Sequence, residues 1–182
     1  MFRIVFICSG NQCRSPAAEA FLLTYVEGLP VEVTSAGTMD ISDRAGPSDM
    51  VAAVRALGGD MSAHRSRGFG AIDLAGADLV IGFSRHHVAT AVVDGGAPAE
   101  RTFLLRELVR LLGQVGARPS TDPEEMRRTI ATAHKARLAG PAFTPDEELD
   151  DPIGGPRRVY ETSARDIADL TKQLAAYLFV VG

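Results

Sequence analysis

The chain has 182 residues, 46% hydrophobic and 23% charged, with a formal net charge of −4 and two cysteines. That length suits one domain with a sizeable core, and a mildly acidic balance without a basic block argues against nucleic acid as a partner. No run of about 18 apolar residues is present, which excludes a helical membrane span; the first residues enter a core strand without a leader, so a cytoplasmic location is expected.

Arg3 to Ile7 is a short continuous apolar run, fit for a strand covered on both faces. Pro16 to about Glu27 reads as a helix with Phe21, Leu22 and Tyr25 on one side and Gly28 as its stop. Val31 to Ser35 reads as a second strand, and Ser48 to Leu57 as a helix ending at Gly58-Gly59. Leu79 to Phe83 is a third strand, followed by a short helix over Arg85 to Val92. Thr102 to Leu104 is a brief fourth strand leading into a helix over Arg106 to Leu112. Asp122-Pro123-Glu124-Glu125 has the pattern of an N-cap, a first-turn proline and an N3 glutamate, and predicts a helix over Pro123 to Leu138 with Met126, Ile130 and Ala133 as its stripe. The last helix, Val159 to Leu178, puts Tyr160, Ile167, Leu170, Leu174 and Leu178 along one face. The alternation predicts an α/β fold, a doubly wound four-stranded parallel sheet with helices on both faces, in one domain over 1–182.

The chemistry concentrates directly after the first strand, in Cys8-Ser9-Gly10-Asn11-Gln12-Cys13-Arg14-Ser15-Pro16. A strand-to-helix turn aims backbone N–H groups inward, and the positive end of the helix favours an anion there. Gly10 and Asn11 are residue types that accept positive φ, and Pro16 suits the first helical position. Ser15 is either the N-cap or a hydroxyl donor to the Cys8 sulfur. Arg14 offers a planar fork that matches two phosphate oxygens. Cys8, among N–H dipoles and a guanidinium, is expected to be a thiolate at neutral pH and to attack phosphorus, with Ser9, Gly10, Asn11, Gln12, Cys13 and Ser15 cradling the phosphate. The departing oxygen needs a proton, and Asp150-Asp151-Pro152 is the late acidic element that can supply it. A residue before proline is held extended, which favours Asp151 over Asp150.

The run Cys8-Ser-Gly-Asn11-Gln-Cys13-Arg14-Ser15-Pro16-Ala17-Ala18-Glu19-Ala20 resembles the signature of the low-molecular-weight protein tyrosine phosphatases. Ser35-Ala36-Gly37-Thr38, Gly46-Pro47, His64-Arg65, Ala77-Asp78-Leu79-Val80 and Asp151-Pro152-Ile153-Gly154-Gly155-Pro156 continue the resemblance in order along nearly the whole chain. It implies catalysis through a phosphocysteine on Cys8, with Arg14 binding phosphate and Asp151 as general acid and then base. It also implies that Cys13 can bond reversibly to Cys8 under oxidation, the alternative being inert packing. His64 and Thr38 are implied as supports that brace Asn11, whereas His86, His87 and His134 are expected to be solvated. No metal or other cofactor is expected, because neither the cysteines nor the adjacent His86 and His87 have ligand spacing.

Against that family, 113–148 is longer than expected and reads as a helical insertion beside the site, a surface elaboration in preference to a device shaping substrate access. Ile41 and Ile153 stand where phosphotyrosine-selective members carry aromatics, and Gln12 matches neither the aliphatic residue of tyrosine phosphatases nor the threonine of protein arginine phosphatases. The expected substrate is protein phosphotyrosine, or a small aryl phosphate, handled by a monomer. The alternatives are a protein arginine phosphatase, an arsenate reductase on the same fold, or a non-catalytic anion-binding module. Arsenate reduction needs resolving cysteines beyond the loop, and none follows Cys13.

Overall fold

The computed structural model of the chain describes residues 1–140 and 144–180. Four strands, β1 (Phe2–Cys8), β2 (Val31–Gly37), β3 (Leu79–Gly82) and β4 (Thr102–Leu104), form one parallel sheet in the order β2-β1-β3-β4. The continuous apolar runs have the cause that the sequence suggests. Phe2, Ile4, Phe6 and Cys8 face the larger core while Val5 and Ile7 face a smaller one, so β1 is apolar on both sides. β2 runs two residues beyond its predicted end because Ala36 and Gly37 continue the ladder opposite Ile7 and Cys8. β3 stops one residue early, since the Phe83 amide bonds to the His87 ring in place of a neighbouring strand.

Helices cover both faces. On the larger face lie α1 (Arg14–Tyr25), α2 (Ser48–Ala56), α4 (Leu105–Gln114), α5 (Pro123–Ala139) and α6 (Arg157–Leu178), whose buried residues join one core with Phe103, Leu79 and Ile81. The smaller face is closed by α3 (Arg85–Val93) and by Leu74, Ala77 and Ala97. The chain leaves β1 toward β2 and then crosses back to β3, so the order reverses beside the carboxyl end of β1. Ligands of open parallel sheets bind at such a switch point, and Cys8 ends β1 there.

The Pro123 helix forms as its capping pattern predicts: the Asp122 side chain accepts from the Glu124 amide, and Met126, Ile130 and Ala133 are buried. Its position differs from the expectation that it packs beside the site. Arg127 donates to the Met1 carbonyl at 2.9 Å and to the Asp78 carboxylate at 2.8 Å, which anchors α5 at the amino ends of the strands, away from Cys8. After α5 the chain returns to the site end. Leu149 N–H donates to the Phe83 carbonyl, Arg106 donates to the carbonyls of Asp146 and Glu148, and Arg110 pairs with buried Glu147 at 2.6 Å.

Candidate active site

The loop between β1 and α1 is a cradle of unsatisfied donors. Helix α1 begins at Arg14, two residues before the predicted start, and its N-cap, Cys13, makes no side-chain capping bond. Pro16 is therefore the third helical residue, where a missing N–H is still harmless because the first turn has no intrahelical acceptor. Among the described residues, no backbone N–H from Gly10 to Ser15 donates to a protein acceptor. Converging amides at a helix N-terminus, left open on a buried floor, are an anion site.

Asn11 fixes the shape of this loop. It is fully buried with φ 52°, a left-handed conformation that asparagine tolerates better than most residues. Its side-chain amide donates to Ser15 Oγ at 2.9 Å and Ser35 Oγ at 2.8 Å, its Oδ1 accepts from the Arg67 amide at 3.0 Å, and its carbonyl accepts from His64 Nε2 at 2.8 Å. Ser35 Oγ in turn donates to the Glu19 carboxylate at 2.5 Å. Burial holds the His64 pKa below its ordinary value despite the pull of the Asn11 carbonyl, so the ring is a neutral donor. Gly10, by contrast, does not take positive φ. A glycine that the cradle does need is Gly37, where an added Cβ would stand 2.7 Å from the Ser9 carbonyl. Thr38 supports the loop through its backbone, its N–H donating to the Cys8 carbonyl at 2.8 Å.

At the base, Cys8 Sγ lies 3.0 Å from Ser15 Oγ, so Ser15 serves the sulfur and not the helix end. Arg14 is 4% exposed. Its NH1 donates to the Leu149 carbonyl at 3.0 Å and its NH2 to Asp151 Oδ2 at 2.5 Å, while Nε is buried with no partner among the described residues. An orphaned guanidinium N–H beside open amides is a donor awaiting an acceptor. Asp151, not Asp150, makes the ion pair, and its Oδ1 accepts from the Ile153 amide at 3.2 Å, which steadies the carboxylate across Pro152. Cys8, Ser9, Asn11, Arg14, Ser15 and Asp151 are thus brought together. Gln12 is half-buried, its amide donating to the Ala45 carbonyl at 3.4 Å. Cys13 is a buried free thiol whose pKa is pushed up to about 12, first by burial and then by the negative charges of Asp151 and Cys8.

His87 corrects the expectation of a solvated residue, while His86 is exposed. It is 2% exposed; its Nδ1 accepts from the Phe83 amide and its Nε2 lies 3.0 Å from Ser9 Oγ. Burial, then the Arg14 charge and His86, lower its pKa to about 3. His134 is also not free, since its Nδ1 lies 2.7 Å from Arg137. Arg67 and the Leu149 carbonyl are further site groups that no spacing rule reveals, because each arrives from a distant part of the chain.

Residues 3–132 match the family model described as low molecular weight phosphotyrosine protein phosphatase. The chain is 28% identical over 180 residues to a protein-arginine-phosphatase of Bacillus subtilis, covering 96% of this chain and 95% of that protein. It is 35% identical over 107 residues to low molecular weight protein-tyrosine phosphatase A of Mycobacterium tuberculosis, covering 57% of this chain and 64% of that one. A crystal structure of a low molecular weight protein tyrosine phosphatase from T. tengcongensis superposes with a TM-score of 0.70 at 25% identity, over 96% of this chain and 97% of that one. A match across well over half of the sequence, on the fold and cradle described above, makes the chain a member of the low molecular weight phosphotyrosine protein phosphatase family.

Proposed function

We propose that the chain hydrolyses phosphomonoesters through a phosphocysteine on Cys8, with phosphotyrosine in proteins as its main substrate class. The observation that carries this reading is that a buried, unpartnered Arg14 Nε and a run of open backbone amides share one loop with the Cys8 sulfur at its start. The phosphoryl dianion takes the amides and the guanidinium, displacing Asp151 from NH2. The Cys8 thiolate forms the S–P bond as the ester P–O bond breaks, and protonated Asp151 gives its proton to the departing oxygen. Water then attacks phosphorus while Asp151 takes its proton, the S–P bond breaks, and inorganic phosphate leaves with the thiolate restored. The Ser15 hydroxyl stabilises that thiolate at both ends of the cycle. Cys13, being a thiol at neutral pH, would need to ionise before it could serve as a redox partner of Cys8.

The substrate rim supports an aryl group without demanding one. Ile153 and Met39 are exposed, and Ile41 lies 3.6 Å from where a Gly10 side chain would begin. Loss of stacking at Ile41 and Ile153 is worth about 0.5–1.5 kcal/mol per contact. One observation favours phosphoarginine as a second reading: the similarity to a protein-arginine-phosphatase runs along nearly the full length of both chains. One core extending from β1 to α6 supports a single domain, with 113–148 as its elaboration, since the family match ends at residue 132 inside α5. Two buried free cysteines support a reducing, cytoplasmic setting. A monomer is the proposed state.

The test is hydrolysis of an aryl phosphate by wild type and Cys8→Ser, with vanadate as inhibitor, followed by matched phosphotyrosine and phosphoarginine peptides. Wild type should be vanadate-sensitive and Cys8→Ser inactive; equal rates for both would overturn the reading. Faster release from phosphoarginine peptides would select the second reading. Asp151→Asn should lower kcat by about 10²–10⁴-fold, the range of general acid–base catalysis, with phosphate binding nearly intact.

A further inference from the structure

His87 belongs to no motif and is not needed to hold the loop backbone, yet its ring is buried against the cradle. It stands in the first turn of α3, its amide donating to Ser84 Oγ, and β3 passes so close behind it that a Cβ on Gly82 would lie 3.1 Å from the His87 Cβ. The imidazole therefore has one place to go, over the end of β3 toward Ser9.

The tautomer follows from the partners. The Phe83 amide can only donate, so the His87 Nδ1 that it reaches at 3.3 Å must accept. In a neutral ring the proton then sits on Nε2, which donates to Ser9 Oγ at 3.0 Å. The Arg14 NH2 also points at Ser9 Oγ, from 3.5 Å, and it too can only donate. With both lone pairs of Ser9 Oγ facing donors, its own hydrogen is left over. No acceptor for it is found among the described residues, so it is free to donate to a bound ligand.

We propose that His87 is a positioning residue: as an Nε2–H donor it sets the rotamer of Ser9 so that the serine hydroxyl donates to a phosphoryl oxygen of the substrate. This rests on the phosphatase reading and adds a side-chain donor to its backbone amides. A hydroxyl aimed in advance stabilises charge building on the phosphoryl oxygens without reorganising during the reaction. The burial and the Arg14 charge that keep the ring neutral preserve the one tautomer that can do this.

The test compares His87→Leu, His87→Gln, Ser9→Ala and the Ser9→Ala/His87→Leu double variant on an aryl phosphate, beside Cys8→Ser. His87→Leu and Ser9→Ala should each lower kcat about tenfold, equivalent to about 1.4 kcal/mol of barrier, with KM little changed. The double variant should be no slower than either single one, and His87→Gln, which keeps an N–H donor, should recover most of the rate. Multiplicative losses in the double variant, or a His87→Leu enzyme as fast as wild type, overturn the inference while leaving Cys8-dependent hydrolysis intact. Absence of any difference between wild type and Cys8→Ser removes the phosphatase reading as well. A readout that needs no variant is the ¹⁵N spectrum of the His87 ring: protonated Nε2 with bare Nδ1 is expected at neutral pH, and the opposite tautomer or a doubly protonated ring overturns the inference.

Discussion

Asn11 carries more of the site than its size suggests, because its side-chain amide and its carbonyl tie several parts of the chain together. Replacing it with alanine leaves the Arg67 amide without its acceptor and removes the donor from Ser15 and Ser35, all around a loop whose φ alanine dislikes. Asn11→Ala should reduce kcat/KM by about a hundredfold or more, which follows if one to two buried groups lose partners at about 1–3 kcal/mol each. Gly37→Ala meets a harder obstacle, the Ser9 carbonyl at 2.7 Å, and the backbone must shift to admit it. Thermal melts and vanadate titration should both register it, with about 1–3 kcal/mol lost in stability. At this scale the sequence was readable where the chemistry is local. Cys8, Arg14 and Ser15 lie within one turn, and their types and spacing state their purpose. His87, Arg67 and the Leu149 carbonyl were not readable, since only the crossing of distant segments brings them in.

Helix α4 is where a neighbouring element governs the chemistry without touching it. Arg106 and Arg110 reach from it to residues 146–148, and Arg106 also pairs with Asp166 of α6 at 3.2 Å. These bonds hold the stretch whose Leu149 carbonyl receives Arg14 and which presents Asp151. Arg106→Ala should therefore lower kcat several-fold, and leave alkylation of Cys8 by iodoacetate at the wild-type rate, because the cradle is built from other parts. Helix α5 predicts the contrary behaviour. Ile130 is 1% exposed in the core, far from Cys8 along the strands. Ile130→Ala should cost about 2–4 kcal/mol in denaturant unfolding and leave kcat and KM unchanged. The existence of α5 was written in Asp122-Pro123 and its apolar stripe, but not its address, which depends on Arg127 finding Asp78 and the Met1 carbonyl. The start of α1 was misjudged for a similar reason: Pro16 marks a helical first turn, and the curl of the cradle starts that turn two residues earlier, at Arg14.

For the molecule as a whole, buried His87 and half-buried His64 set the response to acid. His87 falls from 6.5 to about 3 on folding, under burial, the Arg14 charge and His86, and burial lowers His64 as well. Below about 6.5 the unfolded chain therefore binds protons that the fold refuses, so stability should decline as pH drops through that value toward 3. Burial raises the Asp78 carboxyl, but the Arg127 and Arg3 hydrogen bonds outweigh it, and its net lowering extends the loss below about 4. Melting temperatures at pH 7 and pH 5 should show the drop, and His87→Gln should show a smaller one; equal drops would place the acid sensitivity elsewhere. The sheet was legible because alternating strand and helix patterns admit few arrangements, and the doubly wound order is one of them. Residues 8–15, 35, 64, 67 and 87 emerge from the ribosome well before the chain reaches Leu149 and Asp151, which Arg14 meets across more than a hundred positions. A nascent chain halted at that stage would carry the parts that grip a phosphate but no proton donor, so turnover would begin only once the segment from Leu149 onward has docked.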